Sequence, residues 1–207
     1  MLLSSFCLWC YAFYLLAGLR FPLNSFCRGL LHRLGIEPNQ LNPNGWRTIV
    51  AMQVLWREVF EGNCQIIVDE FLFCYKPSEV KKSVGFYLFS SRAPQFSLIR
   101  GRSSSNRLWK KVFFFISRYW AGDPYDVNNA PFPPFTSALG HLHPEGTSFI
   151  LYFVHFIYLF PCLTISFILA AITRPHLYKL YLERIDKAHA YPDRSFHCLV
   201  TLHRLAV

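Results

Sequence analysis

An α+β fold, a small helical bundle with a short antiparallel sheet, is the class this sequence predicts, and three observations carry it. Two amphipathic helical patterns joined by a polar, proline-bearing turn fill residues 19–60. From Gly85 the spacing changes to short alternating runs broken by turn residues, the pattern of strands. A stretch rich in proline, asparagine and glycine then ends the domain, and an uncharged run and a polar tail come after it. The expected organisation is a domain over 1–121, a linker over 122–146, a hydrophobic, candidate transmembrane helix over 147–173 and an amphipathic tail over 174–207.

Residues 1–19 carry no charge, which allows a signal peptide or anchor, although the basic leader of such segments is missing. The alternative for residues 7–16 is a buried helical lead-in. Cys7 and Cys10 form a CxxC without a second pair or a histidine, weak support for zinc or redox chemistry. Leu23, Phe26, Cys27, Leu30, Leu31 and Leu34 then repeat at helical spacing, with Arg28, His32 and Arg33 opposite. Pro22 is expected to open this helix and Gly35 to end it in the left-handed conformation, with Ile36 reaching back to Leu31. Pro38 forbids continuation. After the polar turn Asn44 is expected to cap a second helix presenting Trp46, Ile49, Val50, Gln53, Trp56 and Phe60, closed by Gly62 and Asn63. Close packing of the two helices predicts burial of Leu30, Leu31, Trp46 and Trp56; a DNA-reading helix-turn-helix is the alternative.

The run over 66–75 predicts a short helix with a wet edge at Asp69 and Glu70, stopping at Pro77. Two alternating runs flanking Ala93, Pro94 and Gln95 predict a hairpin, and residues 110–120 a third strand.

The blocks GLRFPL (18–23), QLNPNGWR (40–47) and SSSNRLWKKVFFF (103–115), in that order, resemble the gypsy-type transposase domain of plant retrotransposons, over about residues 12–120. The resemblance implies a retrotransposon-encoded domain, here a gene fragment, and transfers no catalytic residue. The sequence contains no Asp-Thr-Gly or Asp-Ser-Gly, no Tyr-x-Asp-Asp, no CCHC knuckle and no Walker loop.

The chain is 53% hydrophobic and 16% charged, more apolar than a soluble domain at about 45–50% and 25%. Its net charge of +9 is concentrated between Lys76 and Arg118, where ten basic side chains face one acid, Glu79. That asymmetry suggests a polyanion or an anionic membrane surface as partner. Lys81, Lys82, Arg92, Arg100, Arg102, Arg107, Lys110 and Lys111 are therefore the candidate nucleic-acid-binding residues. They interleave with Phe86, Tyr87 and Trp109, supplying cations for phosphates and flat rings for bases. The competing reading is a solvated basic face over a core built from the same rings.

Seven cysteines without a repeating spacing argue against a disulfide framework, and Cys27 lies on the buried helical face. Asp123 with Asp126, and His141 with His143, lack a third ligand at a known spacing, so no metal, cofactor or catalytic residue is expected. Residues 147–173 are 27 without a formal charge, more than the ~20 that span a bilayer. Arg174, Lys179, Arg184 and Lys187 come directly after, which on the positive-inside rule holds the tail in the cytosol. Translated T-rich noncoding DNA would give a run of the same composition. The tail places Leu177, Leu180, Tyr181 and Ile185 on one helical side.

These features support two functions from different classes: a non-catalytic, retrotransposon-derived module that is structural or associated with DNA or RNA, and a single-pass membrane protein with a basic juxtamembrane domain. The second implies a membrane location, the first a nuclear or cytoplasmic one.

Overall fold

The computed structural model describes residues 8–81, 83–102, 108–116 and 175–205. Two compact units are distinguished, one of residues 1–130 with 187–207, the other of residues 131–186.

The first unit begins with strand β1 (Leu8–Tyr11) and the single-turn helix α1 (Ala12–Leu16), so the expected helical lead-in is half strand. Helix α2 (Ser25–Leu34) starts later than Pro22, whose peptide bond with Phe21 is cis. Its cap is Asn24, whose side-chain oxygen accepts the Cys27 N–H at 2.9 Å and satisfies an otherwise unpaired first-turn donor. Gly35 ends the helix at φ 63°, as expected of a residue without a Cβ, and the Ile36 N–H reaches back to the Leu31 carbonyl.

A 3₁₀ turn (Pro38–Gln40) leads into α3 (Pro43–Val59). The cap is Asn42 rather than Asn44, because Pro43 takes the first helical position, where a missing N–H costs nothing. Asn42 Oδ1 accepts the Gly45 N–H at 2.7 Å, and Asn44 instead holds the Arg47 guanidinium at 2.8 Å. Beyond the helix Gly62, at φ 76°, donates its N–H to the Arg57 carbonyl.

Helix α4 (Val68–Cys74) forms where expected, but only Asp69 is wet. Glu70 is buried, and its carboxylate accepts the Ile67 N–H at 3.1 Å at the helix start. The chain turns into strand β2 (Tyr75–Val80), which carries Pro77 within it.

β2 pairs antiparallel with β3 (Ser83–Ser91), Tyr75 opposite Ser91 and Glu79 opposite Tyr87. The expected hairpin about Ala93–Gln95 is thus displaced. Those residues lead into a 3₁₀ turn (Pro94–Phe96), and the run after it forms no strand; the turn lies instead around Lys81. Residues 75–80 read as the end of a helix because Pro77 masks their alternation; Pro is tolerated on a strand edge that donates to no neighbour. The expected third strand exists as β4 (Phe113–Ile116), but it pairs with β1, Trp9 opposite Phe115, and makes a second two-stranded sheet.

The core lies between α2, α3, α4 and β3. Leu30, Leu31, Trp46 and Trp56 are all fully buried, as the helical faces required. Phe71 touches the rings of Phe26, Tyr75 and Phe89, binding α4 to α2 and to the hairpin. Trp56 is buried with its indole N–H unpaired, whereas Trp46 Nε1 donates to the Pro38 carbonyl at 3.2 Å.

The tail was legible only in part. Helix α5 (Pro175–Ala190) matches the expected amphipathic pattern, with Ile185 buried but Leu180 exposed. A further helix, α6 (Phe196–Leu205), packs on α3 and buries Leu199 and Val200. Arg100 ties its start to the hairpin side of the domain: its N–H donates to the Arg194 carbonyl, and its carbonyl accepts the Phe196 N–H, both at 2.9 Å. In the second unit the described residues are 175–186, with an exposed ion pair between Lys179 and Glu183. The linker, the uncharged run over 147–173 and the Asp and His pairs before it lie outside the described residues. No helix among the described residues is long and apolar enough to cross a membrane.

Candidate nucleic-acid interface

A single segment anchors the surface that carries the basic side chains. The block QLNPNGWR folds as the 3₁₀ turn, the Asn42 cap and the first turn of α3, and its carbonyls are taken by aromatic side chains. Tyr14 Oη donates toward the Asn39 carbonyl at 3.0 Å and the Leu41 carbonyl at 2.6 Å, and Trp46 serves Pro38. Burial holds the Tyr14 hydroxyl well above the ordinary phenol range, so it remains a donor. Neighbouring residues join the hairpin: the Asn42 N–H donates to the Tyr87 carbonyl at 2.8 Å and the Gln40 amide to the Gly85 carbonyl at 3.4 Å. The hairpin is therefore fixed to the helices through backbone groups.

From Tyr14 a chain of rings runs outward. Trp109 lies 6.2 Å from Tyr14 and 4.5 Å from Tyr11, and Phe86 meets Trp109 edge-on at 5.3 Å. Above them sits Lys110, its Nζ 3.7 Å from the Phe86 centroid and 5.3 Å from that of Trp109, with Ser83 Oγ at 3.5 Å. Partial burial against the rings lowers the Lys110 pKa. Lys81, at the hairpin turn, and Lys111 are exposed, as are Lys76 and Arg100.

The predicted basic set thus divides. Lys81, Lys110 and Lys111 belong to the surface at the hairpin-turn end, and Arg100 is exposed beside the start of α6. Arg102 and Arg92 turn inward. Arg102 Nη1 donates to Thr48 Oγ1 at 3.0 Å and the Phe89 carbonyl at 3.1 Å, and Arg92 Nε donates to the Leu72 carbonyl at 2.6 Å. Burial lowers the Arg92 pKa, which neighbouring Cys74 partly offsets. Both arginines tie backbone segments together because a guanidinium offers several donors in a fixed fork. Lys82 and Arg107 lie outside the described residues.

The rings divide too. Tyr87 is buried and Phe86 and Trp109 are half-buried beneath Lys110, so none of the three predicted rings is a free platform. The exposed rings are Phe113 and Phe115 of β4, at 53% and 68%, next to exposed Leu108 and Val112. Sequence reasoning passed over them although the alternation of VFFFI was the available signal. Leu108 is held at φ 65°, a left-handed conformation that costs a non-glycine residue about 1–2 kcal/mol, in the turn closed by the Lys111 N–H on its carbonyl.

Nothing comparable is built from the cysteines. Burial pushes the Cys10 thiol to about 12, so it is not a thiolate at neutral pH, and Cys7 lies outside the described residues. Among the described residues no group of three or more His, Cys, Asp or Glu could hold a metal ion.

The class defined by this architecture is a small α+β domain whose helical core carries a cationic, aromatic surface. Residues 9–76 match the family described as "Putative gypsy type transposon". The transposon resemblance carried by GLRFPL and QLNPNGWR holds over this span, which runs from β1 to the second residue of β2; the third block, residues 103–115, lies beyond it. No curated protein and no solved structure matches the chain significantly. The matched part is the scaffold, and the basic surface comes after it in the chain.

Proposed function

We propose that this transposon-related domain acts as a non-catalytic module that associates with nucleic acid. The observation that carries the reading is the surface at the turn of β2 and β3. Lys81, Lys110 and Lys111 converge there on a segment holding ten cations against one acid, and the scaffold anchors that segment through main-chain hydrogen bonds. Cations held at fixed spacing gain affinity by displacing counterions from phosphates, a mode that requires no base-specific contact.

The test uses the full chain in mild non-ionic detergent, which accommodates the uncharged run over 147–173, and labelled DNA of mixed sequence read by fluorescence anisotropy. Binding is expected to be weak, indifferent to sequence and steeply dependent on salt. Replacing Lys81, Lys110 and Lys111 together by glutamate should flatten the plot of log K against log salt by about 0.7–0.9 for each phosphate no longer neutralised. An unchanged slope, or no binding at low salt, overturns the proposal.

A further inference from the structure

We propose that the outer face of β4 is a base-stacking platform, so that the chain selects single-stranded over duplex nucleic acid. The inference rests on the nucleic-acid reading and specifies its ligand. Phe113 and Phe115 are two residues apart on a strand and therefore project from the same face, while Phe114 and Ile116 are half-buried on the other. Their rings stand edge-to-face with centroids 5.8 Å apart. A protein that only needed to close its core would place one side of β4 inward and make the other polar; here the outward side is aromatic.

The backbone adds a second feature. The Ala12 N–H donates to the Val112 carbonyl, and hydrogen-bonded pairs alternate along an antiparallel ladder. The bonded pairs in this register are therefore Cys10 with Phe114 and Leu8 with Ile116, which directs the N–H and C=O of Phe113 and Phe115 away from β1. No other described strand pairs with that edge. Rings and backbone groups are thus presented together, directly after Lys110 and Lys111.

Charge decides the occupant. A strand of nucleic acid supplies phosphates for Lys110 and Lys111 and unpaired bases for the rings, which tolerate any base because each has a π-face. A duplex keeps its bases stacked on each other and offers only the phosphates. A second copy of this chain fits less well: antiparallel pairing that sets Phe113 against Phe115 counts Lys110 against Arg118, a like-charge pair on each side of the axis.

The experiment compares single-stranded and duplex DNA on the full chain and on Phe113→Ala, Phe115→Ala and Phe115→Trp, with far-UV circular dichroism confirming the fold. Each alanine variant should lose at least about fivefold in single-strand affinity, with duplex affinity and salt slope unchanged, and Phe115→Trp should retain the preference. If the alanine variants bind both forms like the parent while the lysine reversals still weaken binding, the platform is refuted and the electrostatic reading stands. If neither set has an effect, both fall. If the alanine variants abolish a concentration-dependent self-association in sedimentation velocity and leave DNA affinity unaltered, β4 is an interface between copies and the inference fails.

Discussion

Tyr14→Phe removes one oxygen from a fully buried side chain, and the structure gives the cost. The ring and its contacts with Tyr11, Trp46 and Trp109 remain, so the hydrophobic contribution is nearly unchanged. The variant instead loses the donor to the Asn39 and Leu41 carbonyls at 3.0 and 2.6 Å. A hydroxyl has one proton, so the two acceptors share a single donor. The loss is therefore that of one buried hydrogen bond with an acceptor left unpaired, about 1–3 kcal/mol. Urea unfolding monitored by tryptophan fluorescence and circular dichroism should show the midpoint falling with the slope unchanged. Trp46→Phe removes the donor to Pro38 in the same segment, and the double variant should be non-additive by about 0.5 kcal/mol or more, because one turn relaxes around both losses. A Tyr14→Phe midpoint within error of the parent would mean that the segment is held by packing alone, and that the block QLNPNGWR does not fix the hairpin through its hydrogen bonds.

Truncating fully buried Leu31 to alanine should cost about 2–5 kcal/mol in the same assay, the range for a cavity in a closely packed core. Trp46→Phe should destabilise more than Trp56→Phe, since the Trp56 indole N–H has no partner to lose. Burial raises the Glu37 carboxyl pKa, partly countered by its hydrogen bond with Asn39, so the folded state holds that proton more tightly than the unfolded chain. The stability it contributes is present below the ordinary glutamate range and is lost as pH rises through the raised value. In Glu37→Gln that part of the pH dependence of the urea midpoint should vanish. Arg102→Met should lower the urea midpoint and leave the salt slope for DNA unchanged, because its guanidinium serves Thr48 and Phe89 rather than a phosphate; a flattened slope would return it to the interface.

The sequence by itself determined the two long helices, their buried faces and the left-handed glycine between them, because these depend on local spacing and on the one residue type without a Cβ. It also located the cationic segment, since charge counts need no coordinates. Helix caps shifted by two residues where asparagine and proline compete for the same turn, and Asn42 won because Pro43 fits the position just inside the helix. Strand pairing was decided by tertiary structure. Residues 113–116 alternate equally well for any partner, and only the placement of residues 8–11, over a hundred positions earlier, selected β1 rather than β3. The same holds for the basic side chains. Arg92 and Arg102 look like Lys81 and Lys110 in a sequence, but a guanidinium that reaches unpaired carbonyls lowers the free energy by turning inward, whereas a lysine at a hairpin turn finds only water and rings.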